Sequence, residues 1–199
     1  MPHRLSLKPA LILALPLAGF AGQAMAHTGP GSHAGFVGGL MHPMLGWDHL
    51  VAMLAVGLWA ATLGGRALYA LPLVFPVVMA LGAAMGIAGL ALPGVEAGIA
   101  ASGVVLGLLV AFGLRAPLAV SGTLVGAFAL FHGHAHGTEM PGGYGPLAYG
   151  AGFVLGTMLL HLAGLGLGLA ARSGAGRVAL RGTGGLIALT GAGFLLGAV

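Results

Sequence analysis

The run from His42 to His49 brings histidine and aspartate together at the start of an apolar stretch. Pro43 suits the first position of a helix, which predicts that His42 lies at the outer end of that helix. Asp48 should then lie roughly 8 Å deeper, and His42 and His49 should share a helical face. A carboxylate inside an apolar helix is costly, so Asp48 is expected to be functional. The alternative is an Asp–His pair that only locks two helices together.

A second cluster at 131–139 carries histidine at every second position of its centre. His132 and His136 are four residues apart and share a helical face. His134 points elsewhere unless the helix unwinds at the glycine before it. With Glu139 as a further ligand, this cluster predicts a metal site beside the first one. The alternative is a His-rich outer loop that binds metal loosely or not at all.

Two further histidines stand apart from these clusters. His161 lies well inside an apolar stretch, where it is either a packing residue or a deeper ligand on the same path. His27 is expected to become the first residue of the mature chain after a leader is removed. Its α-amine and imidazole could then chelate one divalent ion together. The alternative is that His27 is simply the residue that follows the cleavage point.

These ligand types restrict the ion that such a site would bind. Imidazole with carboxylate suits borderline divalent ions such as Ni²⁺, Co²⁺, Zn²⁺ and Cu²⁺. Hard ions such as Mg²⁺ and Ca²⁺ require more oxygen ligands, and the absence of cysteine disfavours copper(I). Protonated histidine binds no metal, so ion binding should weaken as the pH falls through about 6.5.

Several other activities lack the residues that they need. The sole lysine, Lys8, falls in the leader, so the mature chain has no P-loop lysine and no nucleotide-binding motif. No His-Glu-x-x-His and no Gly-x-Ser-x-Gly occurs, and the chain is not expected to be an enzyme. The pI of about 10.4 reflects a few arginines set against almost no acids, so no nucleic-acid partner is expected.

The elements that position these residues must lie in a lipid bilayer. The 199-residue chain is 58% hydrophobic and 5% charged, whereas soluble domains carry about 25% charged residues. Six apolar stretches of suitable length predict an all-α, polytopic transmembrane helix bundle. The predicted spans are 43–62, 68–92, 95–113, 117–136, 146–171 and 178–198.

Residues 1–26 have the features of a cleaved secretory signal peptide. Arg4 and Lys8 precede a short apolar core, and Ala24 to Ala26 form a small-x-small cleavage site. The alternative is an uncleaved first transmembrane helix, for which the apolar core is short. Residues 27–199 would then form one six-helix transmembrane domain.

The charged residues of the loops predict the orientation of this domain. Cleavage places His27 outside, so the loops after the first, third and fifth spans are cytoplasmic. The arginines of the mature chain all fall in or beside these loops: Arg66, Arg115, Arg172, Arg177 and Arg181. Because cytoplasmic loops are enriched in arginine, the two signals agree. The chain is therefore predicted to be a multi-pass protein of the bacterial inner membrane with a periplasmic mature N-terminus.

The chain resembles the HupE/UreJ family of nickel and cobalt permeases, which are named as hydrogenase and urease accessory proteins. The matching residues are His42, Pro43, Gly46, Asp48, His49, Phe131, His132, Ala135, His136, Gly137, Glu139, Gly152, Phe153, Thr157 and His161. The first motif is also similar to the His-x(4)-Asp-His signature of the wider nickel/cobalt transporters, with five intervening residues instead of four. The resemblance covers essentially the whole chain. It implies that His42, Asp48 and His49 contact the metal, with His132 and His136 in support.

The sequence therefore predicts a permease that imports Ni²⁺ or Co²⁺ from the periplasm for hydrogenase or urease maturation. The ion is its cargo, and no permanently bound cofactor is expected. One alternative is a membrane accessory protein that binds metal without transporting it. Another is a membrane redox protein with histidine-ligated haem or di-iron. The sequence leaves open the choice between nickel and cobalt, the energy source and a homo-oligomeric state.

Overall fold

The computed structural model describes residues 35–140 and 146–197, so the predicted signal peptide and His27 lie outside the described residues. Every regular element within these two ranges is an α-helix. The helices are α1 (Phe36–Leu45), α2 (Trp47–Leu63), α3 (Ala67–Ile87), α4 (Val95–Phe112), α5 (Leu118–Thr138), α6 (Pro146–Ala170) and α7 (Gly174–Leu195).

Helices α3 to α7 are each long and apolar enough to cross a membrane. Helices α1 and α2 add a sixth crossing if this bent pair counts as one span. The expected all-α transmembrane bundle is thus confirmed. The last five predicted spans correspond to α3 to α7, with ends that differ by a few residues.

The prediction of one continuous first span at 43–62 is wrong. Pro43 lies inside α1 and not at the first position of a helix. The chain leaves helical geometry at Gly46, with φ −87° and ψ 117°, and α1 and α2 meet there at 85°. A Cβ atom on residue 46 would lie 3.0 Å from Asp48 Oδ1 and 3.3 Å from His49 Nδ1. Glycine at the break therefore leaves room for the Asp48–His49 pair.

Close backbone contact at glycines orients the histidines of α5. Gly133 and Gly137 share one face of α5 and lie directly against the backbone of α3, where a Cβ atom would overlap a carbonyl group. Such small residues let two helices approach more closely than side chains normally permit. His132 and His136 immediately precede these glycines, so their side chains leave α5 in another direction, toward α1 and α2.

Two side-chain hydrogen bonds lie at the end of the bundle that is remote from the histidine clusters. Arg172 Nη2 donates to the Ala61 carbonyl at 3.2 Å, which ties the segment after α6 to the end of α2. The indole Nε1 of the fully buried Trp59 donates to the Leu114 carbonyl at 2.9 Å. The predicted cytoplasmic segments around Leu114 and Arg172 thus gather around the same end of α2. The histidines lie near its other end.

Candidate metal centre

Four histidines from three helices form a continuous row of imidazole rings. The His42 and His136 ring centroids are 4.8 Å apart, and those of His136 and His49 are 4.5 Å apart. His49 in turn lies 4.8 Å from His132, which is fully buried. The structure therefore brings the two sequence clusters together. His42 and His49 were expected to share a face of one helix, but they belong to separate helices and both contact His136.

The end of this row at His42 and His136, which is its outer end, has the geometry of a three-ligand metal site. One ligand atom from each of His42, His136 and Glu139 lies within 4.8 Å of the other two. With metal–ligand bonds of about 2.1 Å, opposed ligands around one ion lie about 4.2 Å apart. Small shifts of these side chains would therefore close them around an ion. Glu139 is exposed and His136 is buried, so the site connects the surface with the interior.

Asp48 and His49 form a carboxylate–imidazole pair at the first turn of α2. Asp48 Oδ1 accepts the backbone N–H of His49 at 2.8 Å and lies 2.8 Å from His49 Nδ1. Because an ionised carboxylate only accepts, Nδ1 must carry the ring proton. His49 Nε2, which is buried and has no hydrogen-bond partner among the described residues, is then the nitrogen with the free lone pair. Metal-binding histidines are commonly held by a carboxylate in this way.

A cavity of about 320 Å³ adjoins this pair between the starts of α2 and α4 and the end of α7. Its lining residues are Asp48, Glu96, Ala97, Ile99, Ala100, Phe194 and Leu195. Glu96, which was not among the predicted site residues, lies in the first turn of α4 and faces the same cavity as Asp48. The available signal was its rarity, because the chain contains only three acidic residues.

The aromatic row continues beyond the clustered histidines toward His161. The Phe75 ring lies 5.6 Å from that of His132 and 5.1 Å from that of His161. His161 is fully buried, and neither of its ring nitrogens has a hydrogen-bond partner among the described residues. His161 thus lies on the inward extension of the row, separated from the four clustered rings by Phe75.

His134 is directed away from the row. Its Nε2 lies 2.7 Å from the Leu90 carbonyl, to which it donates, and this bond joins α5 to the segment after α3. Helix α5 remains regular through Gly133, so the unwinding that would turn His134 toward the other histidines does not occur. Of the predicted candidates among the described residues, His134 faces elsewhere and His161 lies deeper. The other six gather near the break between α1 and α2.

Apolar helices around a partly buried row of histidines define the class of this molecule: it is an integral membrane protein of the helical-bundle type. The chain belongs to the HupE/UreJ family, because the family model described as HupE / UreJ protein matches residues 15–194. It is 48% identical to Protein HupE of Rhizobium leguminosarum bv. viciae over 182 residues, which cover 91% of this chain and 95% of that protein. No solved structure matches the chain. The expected family is thus confirmed.

Proposed function

We propose that this chain is a secondary transporter, or permease, that carries Ni²⁺ or Co²⁺ from the periplasm to the cytoplasm. The imported ion would supply the maturation of a hydrogenase or urease. The observation that carries the proposal is the unbroken row of imidazoles from His42 to His132, which begins beside an exposed carboxylate and leads into the bundle. Imidazole and carboxylate ligands suit these borderline ions, and the family resemblance favours nickel or cobalt among them.

The ion would move by exchanging one ligand at a time. Glu139, His42 and His136 form the outer ligand set, and His136 also touches His49, the next ring inward. Because neighbouring rings are in contact, a new nitrogen reaches the ion before an old one leaves. An unpaired cation in a low-dielectric interior is very costly, so this overlap keeps the barrier between positions low.

Carboxylates would offset the positive charge of the ion along this route. Asp48 contributes its charge through His49, whose Nδ1 proton it binds. Glu96 shares a cavity with Asp48, and two acidic groups at one opening raise the local concentration of cations. We therefore propose that this cavity and the exposed Glu139 form the periplasmic entrance.

The proposed orientation rests on the loop charges. Arg172 binds the inner end of α2, remote from Glu139, and cytoplasmic loops are those enriched in arginine. Removal of residues 1–26 as a signal peptide would give the mature chain a periplasmic N-terminus in the bacterial inner membrane. In this orientation the histidine row opens to the periplasm.

Two geometric features favour transport over the alternative functions. A protein that only stores metal needs one ligand set, whereas here the imidazoles continue past the outer set to the fully buried His132. A haem between two axial histidines requires open space for the porphyrin, whereas these rings are packed against one another at 4.5–4.8 Å. A non-transporting accessory protein is the second candidate function, and an uptake experiment must distinguish it from a transporter.

Uptake of radioactive Ni²⁺ and Co²⁺ by cells that express the chain tests the proposal, with each ion competed by the other. We expect the cells to accumulate far more metal than the amount of expressed protein. His136→Ala should abolish this accumulation, because it removes the ring that contacts both His42 and His49. His134→Gln is the matched control because His134 lies off the row, and it should retain uptake. Accumulation no greater than stoichiometric binding would contradict transport and favour the accessory protein.

A further inference from the structure

Ser102 in α4 is a buried polar residue that touches the inner end of the histidine row. Its side chain is fully buried, as is that of His132. The Ser102 hydroxyl donates to the Ile99 carbonyl at 2.6 Å, and its oxygen lies 3.0 Å from His132 Nε2. The hydroxyl therefore has two close polar neighbours, which differ in whether they can donate a proton.

The position of a single proton follows from these two contacts. A carbonyl oxygen only accepts, so the 2.6 Å contact with Ile99 requires the one hydroxyl proton of Ser102. The Ser102 oxygen must then accept at its second contact, which requires a proton on His132 Nε2. If the hydroxyl donated to His132 Nε2 instead, the Ser102 and Ile99 oxygens would lie 2.6 Å apart with no proton between them, in a buried setting where an unmet hydrogen bond is costly.

A neutral imidazole with its proton on Nε2 has its free lone pair on Nδ1. His132 Nδ1 is buried and has no hydrogen-bond partner among the described residues. The neighbouring ring of His49 has the opposite arrangement, because Asp48 holds the proton on Nδ1 and leaves Nε2 without a partner. Two adjacent histidines in the row thus present different nitrogens, each selected by a separate oxygen.

We propose that Ser102 is a positioning residue for the transported ion, because it holds His132 as the Nε2–H tautomer and reserves Nδ1 as the ligand atom. This inference rests on the transport function proposed above. Groups that fix the tautomer of a metal-binding histidine typically change metal affinity or activity by about 10–100-fold when they are removed. Ser102 has no direct contact with the ion in this scheme and acts only through His132.

Ser102→Ala tests the inference, and Ser121→Ala is its matched control. Ser121 is also a fully buried helical serine, but its hydroxyl binds only backbone carbonyls, at 3.4 Å and 3.2 Å. The first measurement is ¹⁵N NMR of the purified, metal-free full chain with labelled histidine, in detergent micelles. A His132→Gln sample identifies the His132 signals. We expect a protonated Nε2 and a bare Nδ1 in the parent and in Ser121→Ala, and a shift toward the other tautomer in Ser102→Ala.

The second measurement is the apparent affinity for Ni²⁺ in uptake. Ser102→Ala should weaken it about 10–100-fold while Ser121→Ala leaves it unchanged. A parent His132 protonated on Nδ1, or an unaltered tautomer in Ser102→Ala, overturns the inference, as does unaltered affinity in Ser102→Ala while the parent transports. If the parent accumulates no metal, the transport function fails instead, and the NMR result still decides the tautomer.

Discussion

Replacing Asp48 with asparagine removes one negative charge while keeping the shape of the Asp48–His49 pair. The asparagine Oδ1 can still accept the His49 Nδ1 proton, so the ring keeps its tautomer and orientation. The loss of function should therefore reflect the missing charge. Asp48 is suited to this test because its carboxylate binds a histidine of the row directly, at His49 Nδ1.

The size of the effect follows from the distance between the carboxylate and the ion. An ion on His49 Nε2 would lie roughly 7 Å from the Asp48 carboxylate, which at an effective dielectric constant of about 20 gives about 5 kcal/mol for a divalent ion. The Asp48 side chain is 26% exposed, so solvent screens part of this energy. Weakening a charge-assisted bond to a neutral one costs about 1 kcal/mol more. Even a fraction of this sum predicts a loss of at least about tenfold in apparent affinity.

Uptake of radioactive Ni²⁺ at submicromolar concentration measures the effect of Asp48→Asn. We expect uptake to be abolished under these conditions, with protein levels in the membrane near those of the parent. His134→Gln, which alters a polar residue outside the row, controls for general disturbance of the bundle. Uptake by Asp48→Asn at half the parent rate or more would refute the argument and make Asp48 a structural residue.

Three further outcomes are expected. Gly137→Ala should lower the free energy of unfolding by about 1–3 kcal/mol, measured as a lower Tm in detergent, because its Cβ would overlap the α3 backbone. Gly122→Ala, where no atom lies within 4 Å of the new Cβ, should not lower the Tm, and equal values for both variants would contradict the packing account. If the terminal amine is a ligand, His27→Ala should weaken apparent affinity for metal while N-terminal sequencing still finds cleavage after residue 26; unchanged affinity excludes the terminus from the site. A reporter fused after Arg115 should be cytoplasmic and one fused at Gly142 periplasmic, and the reverse result for either would overturn inward transport.

Hydrophobic length predicted most of the fold because a membrane span leaves a direct signal in composition. The ends of α4 and α6 fell within a residue of the predicted spans. The prediction of the first span was wrong because a proline near apolar residues indicates either the start of a helix or a kink within one. Here α1 begins seven residues before Pro43, and close contact between Gly39 and the α6 backbone supports that extra segment. A contact between distant helices is not visible in the local sequence.

The candidate site was predictable in its residue types and less so in its geometry. The i,i+4 spacing of His132 and His136 correctly indicated one shared face, because α5 is a regular helix. The same periodicity was misleading for His42 and His49, since the break at Gly46 falls between them. Ser102 had no sequence signal at all, because its significance depends on a ring thirty positions away in the chain.

The break between α1 and α2 also determines how long an ion would stay. A helix end carries about half an elementary charge, negative at the last turn and positive at the first. The end of α1 and the start of α2 meet at Gly46, so their partial charges nearly cancel, and Asp48 leaves about one net negative charge. Asp48 by itself would therefore neutralise only about half the charge of a divalent ion held on His49. Efficient conduction requires binding that is strong enough for entry and weak enough for release, and a partly compensated position favours brief residence over storage.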